Sequence, residues 1–144
     1  MKQDIAVLGY LGRALSFELS AIQHYISLSR ILEIKGMPAA SELFTTNSRK
    51  ELQHVESIVT RMIALGVAPN SSQLRPPKLN GSLSDLIGHV LELQGEMVTF
   101  YESAVNHCKN IEDHENRIFF TTLLNDEREK FSEIEVWWNK LITT

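Results

Sequence analysis

The sequence predicts an all-α fold: a four-helix bundle made of two antiparallel hairpins joined by a long crossover. Three observations carry that prediction. Apolar residues recur at three-four spacing through four long segments, and no stretch alternates as a strand would. The links between the first and second segments, and between the third and fourth, are only a few residues long. Links that short fold each pair of helices back on itself. The middle link, about Val67 to Gly81, holds Pro69, Pro76 and Pro77 with Asn70 and Asn80, and has no periodicity.

The first helix is expected from about Asp4 to Lys35, where Gly36 ends it, with Leu8, Leu11, Leu15, Glu18, Ile22, Tyr25 and Leu32 along one face. The second opens near Pro38, a residue suited to a first helical turn. Its stripe reads Ala40, Phe44, Asn47, Glu51, His54, Ile58 and Leu65, and Gly66 and Pro69 close it. The third opens at Ser82 with Asp85 as a partial capping box, and carries Leu83, Ile87, Val90, Gln94, Met97, Tyr101, Ala104 and Cys108. The fourth runs from about Asp113 to Leu141 with Phe120, Leu123, Glu127, Lys130, Ile134, Trp137 and Leu141. A helix of about 28 residues is roughly 42 Å long, and 15 extended residues reach roughly 50 Å. The middle link can therefore run the length of the bundle and start the third helix parallel to the second.

Length and composition narrow the function. The 144 residues suit one domain, 1–144, and 43% are apolar, which argues against disorder. A net charge of −4 argues against a nucleic-acid partner, which would favour a basic face. The lone cysteine, Cys108, excludes an internal disulfide and fits a reducing compartment. No targeting segment stands out and no run approaches the roughly 20 apolar residues of a membrane span, so a cytoplasmic protein without a membrane partner is expected.

Each apolar stripe is interrupted near its middle: by Glu18, by Glu51 with His54, by Gln94, and by Glu127 with Lys130. One such residue alone would read as an occasional buried polar group. Four at similar depth on facing helices should converge, and buried carboxylates then need protons, cations or metal. Glu51-Leu-Gln-His54 has the Glu-x-x-His spacing that puts both side chains on one helical face, a device of carboxylate-bridged metal sites in bundles.

These residues give the chain a resemblance to the bacterioferritins, a ferritin-like family. Glu18-Leu-Ser-Ala-Ile-Gln-His-Tyr25 resembles that family's first-helix ligand segment, and Glu51-Leu-Gln-His54 its second-helix pair. Leu65 to Asn70 resembles the turn that follows, and Leu124-Asn-Asp-Glu127 the fourth-helix bridging carboxylate. The resemblance implies a ferritin-like bundle whose relatives form haem-containing shells, oxidise ferrous iron at a di-iron centre and store the mineral. By the same resemblance Glu18 and His54 are terminal ligands of a first metal, with Glu51 and Glu127 bridging to a second.

The second metal position departs from the pattern. Where the family has Glu and His, this chain has Gln94 and Lys130. Glu92 and Glu96 lie near Gln94 but off the apolar face. An ammonium cannot ligate a metal. Glu18, Glu51 and Glu127 bring −3 and Lys130 +1, leaving −2. One divalent ion neutralises that sum, and two would leave +2 in a low-dielectric interior. At most one iron or other divalent metal is expected. Leu52 stands at the place of the haem-binding Met, so no haem is expected, and Thr46 and Lys50 replace an inner-surface His and Asp found in some members. The chain ends at Thr144 without the short fifth helix of the shell-forming members, so the resemblance favours a homodimer or larger homo-oligomer, or pairing with a ferritin-like partner subunit, over a certain 24-subunit shell.

Tyr25 falls on the Glu18 stripe, where it could hydrogen-bond a ligand carboxylate or serve as a core aromatic. Trp137 and Trp138 read as packing, and His24, His89, His107 and His114 show no ligand spacing. Three functions remain in view. The leading one is a metal-binding bacterioferritin-like protein with a degenerate di-iron centre and little ferroxidase activity. The second is an active ferroxidase or oxygen-activating protein recruiting Glu92 or Glu96. The third is a structural or interaction module with a buried Lys-carboxylate network, which a Lys130 bond to Glu51 or Glu127 would favour.

Overall fold

A computed structural model of the chain describes residues 3–70 and 73–142. The crossover residues Ser71 and Ser72 and the chain ends lie outside the described residues. The described residues form four helices and no strand: α1 (Ile5–Ile34), α2 (Pro38–Ala64), α3 (Leu83–Asn110) and α4 (His114–Ile142).

Local sequence fixes the helix ends. Asp4 accepts from the Val7 amide at 3.1 Å to start α1. Ser82 and Asp85 complete both halves of a capping box at α3, and Asp113 accepts from the Asn116 amide at 3.2 Å to start α4. The first three helices end alike, with a left-handed residue allowing two reversed hydrogen bonds onto the last turn. At α1 these are Gly36 N to Glu33 O and Met37 N to Leu32 O, at 3.1 and 2.9 Å. Gly36 and Gly66 supply positive φ without steric cost, whereas α3 uses Glu112 at φ 58°.

The helices pack as predicted. α1 lies against α2 and α3 against α4 most extensively, α1 against α3 next, and α2 against α4 least. One apolar cluster joins Val7 and Leu11 of α1, Met62 of α2, Cys108 of α3 and Phe120 of α4. It thus unites the start of α1 and α4 with the end of α2 and α3, which makes α2 parallel to α3 and requires the long crossover. A second cluster, with Tyr25, Phe44, Val90 and Ile134, fills the other half. The crossover is pinned to α1 and α3: the Arg75 amide donates to Ser20 Oγ at 2.9 Å, the Arg75 carbonyl pairs with His24 Nε2 at 3.0 Å, and the Arg75 guanidinium pairs with Glu96.

One sequence expectation is corrected here. α1 is, by length and composition, apolar enough to cross a membrane. Of its most apolar window 44% is buried, where the helix meets α2 and α3, and Glu18 sits fully buried at its middle.

Candidate metal centre

Between the two apolar clusters lies a polar layer. Glu18 comes from α1, Glu51 and His54 from α2, Gln94 from α3, and Glu127 and Lys130 from α4. Glu18, Glu51, Gln94 and Glu127 are wholly buried, and Lys130 is 2% exposed. Each is held there by its place in an apolar stripe: Leu15 and Tyr25 bracket Glu18, Phe44 and Ile58 bracket Glu51, Val90 and Met97 bracket Gln94, and Leu123 and Ile134 bracket Glu127. One ligand atom from each of Glu18, Glu51, His54 and Glu127 lies within 4.8 Å of the others.

His54 is the hub. Its Nδ1 faces the cluster, 3.0 Å from Glu127 Oε1, 3.3 Å from Glu18 Oε1 and 3.8 Å from Glu51 Oε1. Its Nε2 points outward to Asp126 Oδ2 at 2.9 Å. Tyr101 donates to Glu18 Oε1 at 2.6 Å. Lys130 Nζ donates to Glu51 Oε1 and reaches Glu127 Oε1 at 3.4 Å. Gln94 Nε2 donates to the Glu127 carbonyl at 3.0 Å and to its carboxylate, while Gln94 Oε1 accepts from the Tyr25 hydroxyl.

Burial and charge then set the protons. Burial pushes Glu127 up to about 8, helped by the nearby Glu18 charge and only partly offset by its bonds to His54 and Gln94. Burial disfavours the imidazolium, but its hydrogen bonds to Glu127 and Glu18 and their charges outweigh that and raise His54 to about 11. Burial lowers Lys130 to about 8, which leaves it charged at neutral pH. The His54–Glu127 pair thus retains a proton at neutral pH, and Lys130 adds a tethered positive charge beside it.

This donor set fits a divalent cation. Three carboxylates and one imidazole are the ligands that suit iron, manganese or zinc, and Oε2 of both Glu18 and Glu51 is buried without a hydrogen-bond partner. Gln94 and Lys130 do not extend the set. The amide turns its nitrogen to Glu127 and gives its oxygen to Tyr25, and the ammonium occupies Glu51 Oε1. Glu92 and Glu96 are exposed on α3, and Glu96 is paired with Arg75, so neither reaches the layer. Beside it a cavity of about 470 Å³ between α2 and α4 is lined by Lys50, His54, Asp126, Glu129, Lys130 and Glu133, and connects the layer to solvent.

The structure redistributes some expected roles. Tyr25 holds Gln94 and not a carboxylate; the tyrosine on a carboxylate is Tyr101. Asp126 was hidden because it falls one residue off the stripe, roughly 100° round the helix from Glu127. Tyr101 stood in the stripe but passed as an apolar position. Leu52 is half exposed on the outer face of α2, away from the cluster.

Comparison with known proteins places this geometry. A model of the ferritin-like domain matches residues 8–142. The chain is 27% identical over 127 residues to a bacterioferritin of Rhodobacter capsulatus, covering 88% of this chain and 79% of that protein. It is 24% identical over 135 residues to a bacterioferritin of Mycobacterium leprae, covering 94% and 85%. It is 24% identical over 129 residues to a bacterial ferritin of Synechocystis sp., covering 90% and 83%.

Proposed function

The chain belongs to the ferritin-like domain family, and from that premise we propose that it is a bacterioferritin-like iron-handling protein with a degenerate di-iron centre that takes one divalent cation. The observation that carries this reading is the junction of two facts in one layer. Glu18, Glu51, His54 and Glu127 converge to within 4.8 Å, and the Lys130 ammonium occupies the Glu51 oxygen that a second ion would need. Iron is the first candidate because the similar proteins are ferritins by name; manganese and zinc suit the same ligands. When bound, the ion supplies the positive charge that lets Glu127 and His54 give up their protons. Glu18 and His54 would hold it from α1 and α2, Tyr101 and Asp126 would orient those two ligands, and Lys130 would keep its charge on Glu51. With a tethered cation in place of a second ion, two-electron chemistry at an ion pair has no seat, so little ferroxidase activity is expected.

The same Lys130–Glu51 bond favours a second reading, in which the layer is an ion network that takes no metal. Anaerobic loading with ferrous iron, gel filtration and metal analysis separate the two. About one ion per chain supports the single-cation site, and zero supports the network. A count of two would overturn both. The paired substitution Gln94→Glu and Lys130→His should raise the count towards two; no rise would mean that these residues do not explain the defect.

For assembly we propose a homo-oligomer built on side-by-side contact through the outer face of α1 and α2. Ile26 and Leu52 are half exposed there, in a groove with Ile22 between the two helices. Leu52 offers no sulfur for haem iron. Cys108, buried and pushed up to about 11 by burial, is an inert thiol, in keeping with a cytoplasmic protein.

A further inference from the structure

We propose that Asn47 anchors a water molecule against Glu51 Oε2, so that the cation at the cluster is held partly through water. The inference rests on the single-cation reading. Among the described residues, four buried side-chain polar atoms lack a hydrogen-bond partner: Glu18 Oε2, Glu51 Oε2, and both Oδ1 and Nδ2 of Asn47. The first two belong to the ligand set. The third and fourth belong to a wholly buried amide one helical turn before Glu51.

Residues four apart on a helix stand on one face with Cβ atoms about 5–6 Å apart, a gap that one water can bridge. On the other side of Asn47 the preceding turn presents Phe44, a member of the apolar cluster, so the polar neighbour lies towards Glu51. Lys130 already occupies Glu51 Oε1, which leaves Oε2 as that residue's free acceptor. A buried water generally makes about three hydrogen bonds to groups of this kind. Here Nδ2 can donate to it or Oδ1 accept from it, and Glu51 Oε2 can accept from it. That leaves a valence for a cation at the cluster. Four protein ligands also leave coordination positions on a hard divalent ion, which such ions commonly fill with water. An apolar residue of similar volume would continue the α2 stripe without this arrangement.

Asn47→Leu and Asn47→Asp test the proposal through manganese affinity by calorimetry, thermal midpoints of the metal-free proteins, and a crystal structure of the metal-free wild type. The expected result is a loss of about tenfold or more in affinity for Asn47→Leu, the size that follows loss of a group behind a metal ligand. Asn47→Asp, which keeps a polar oxygen at the same reach, should bind at least as tightly as wild type. Unchanged affinity in Asn47→Leu, with a raised midpoint, would show that the amide is only an unsatisfied core group and overturn the proposal. If the wild type binds no ion, the single-cation reading fails by itself. The water is then judged on the crystal: density within hydrogen-bond distance of both Asn47 and Glu51 Oε2 supports it, and apolar packing there overturns it.

Discussion

Replacing Lys130 by methionine removes the tethered cation and leaves the chain otherwise close in volume. The lowered pKa of Lys130, about 8, shows that burying the ammonium is itself costly. The loss on substitution therefore comes from what is stranded. Glu127, raised to about 8, already carries a proton at neutral pH, so the exposed deficit falls on Glu51, which is wholly buried and loses its Lys130 bond. Its escape is to take a proton. From an ordinary glutamate near 4.3, protonation at pH 7 costs about 1.36 × 2.7, or roughly 4 kcal/mol, within the range of about 3–5 kcal/mol for breaking a buried pair. At about 4 °C per kcal/mol for a domain of this size, the metal-free midpoint should fall by about 15 °C at pH 7. At pH 5 the same protonation costs only about 1 kcal/mol, so the gap to wild type should shrink to a few degrees. Thermal unfolding at both pH values, with chelator and with a divalent ion in excess, makes the test. Under the single-cation reading the ion restores about 2.7 kcal/mol at a hundredfold excess over Kd; under the ion-network reading it restores nothing. A midpoint at pH 7 equal to or above wild type would refute the charge argument.

Three further outcomes follow from the same layer. At pH 7 a cation must displace the proton held between His54 (raised to about 11) and Glu127 (raised to about 8). Calorimetry in buffers of different ionisation enthalpy should therefore report net proton release on binding, and release of none would contradict the raised values. In the metal-free protein both folded pKa values lie above the ordinary values of 6.5 and 4.5. The fold thus holds extra protons and loses stability as pH rises from 4.5 to about 8 through Glu127 and from 6.5 to about 11 through His54. Asp126→Asn should weaken cation binding about 10–100-fold by loosening the His54 ring, while shifting metal-free stability by no more than about 0.5 kcal/mol, because Asp126 is half exposed. Equal affinity would remove Asp126 from the site.

Much of this architecture was legible because helices obey a single period. The stripes on α2, α3 and α4 name residues that are buried or half buried, and Gly36 and Gly66 mark turns that only positive φ permits. The α3–α4 turn gave no such mark, since Glu112 takes the left-handed position itself. On α1 the stripe was blurred by its uniform apolarity: Leu8 and Ile22 are only half buried, while Val7, Ala14, Ala21 and Leu28 are in the core. In the polar layer, Glu18, Glu51, His54, Gln94, Glu127 and Lys130 stood out as polar residues at apolar positions. What periodicity cannot give is a partner. Which tyrosine holds Glu18, which side of the Gln94 amide faces Glu127, and that an off-stripe aspartate reaches His54 all depend on rotamers and on the spacing between helices.

Under the single-cation reading, the layer's charge accounts for a limit of one ion. Three buried carboxylates must be balanced, and in the metal-free protein the proton held by the His54–Glu127 pair and the Lys130 ammonium contribute to that balance. A divalent ion can take the place of a held proton. The ammonium is covalently tethered and reaches both Glu51 and Glu127. A second divalent ion would have to displace the Lys130 ammonium from Glu51 and Glu127. On the single-cation reading, a tethered charge in place of a mobile one keeps the electrostatics of the bundle's middle and takes the place of a second ion.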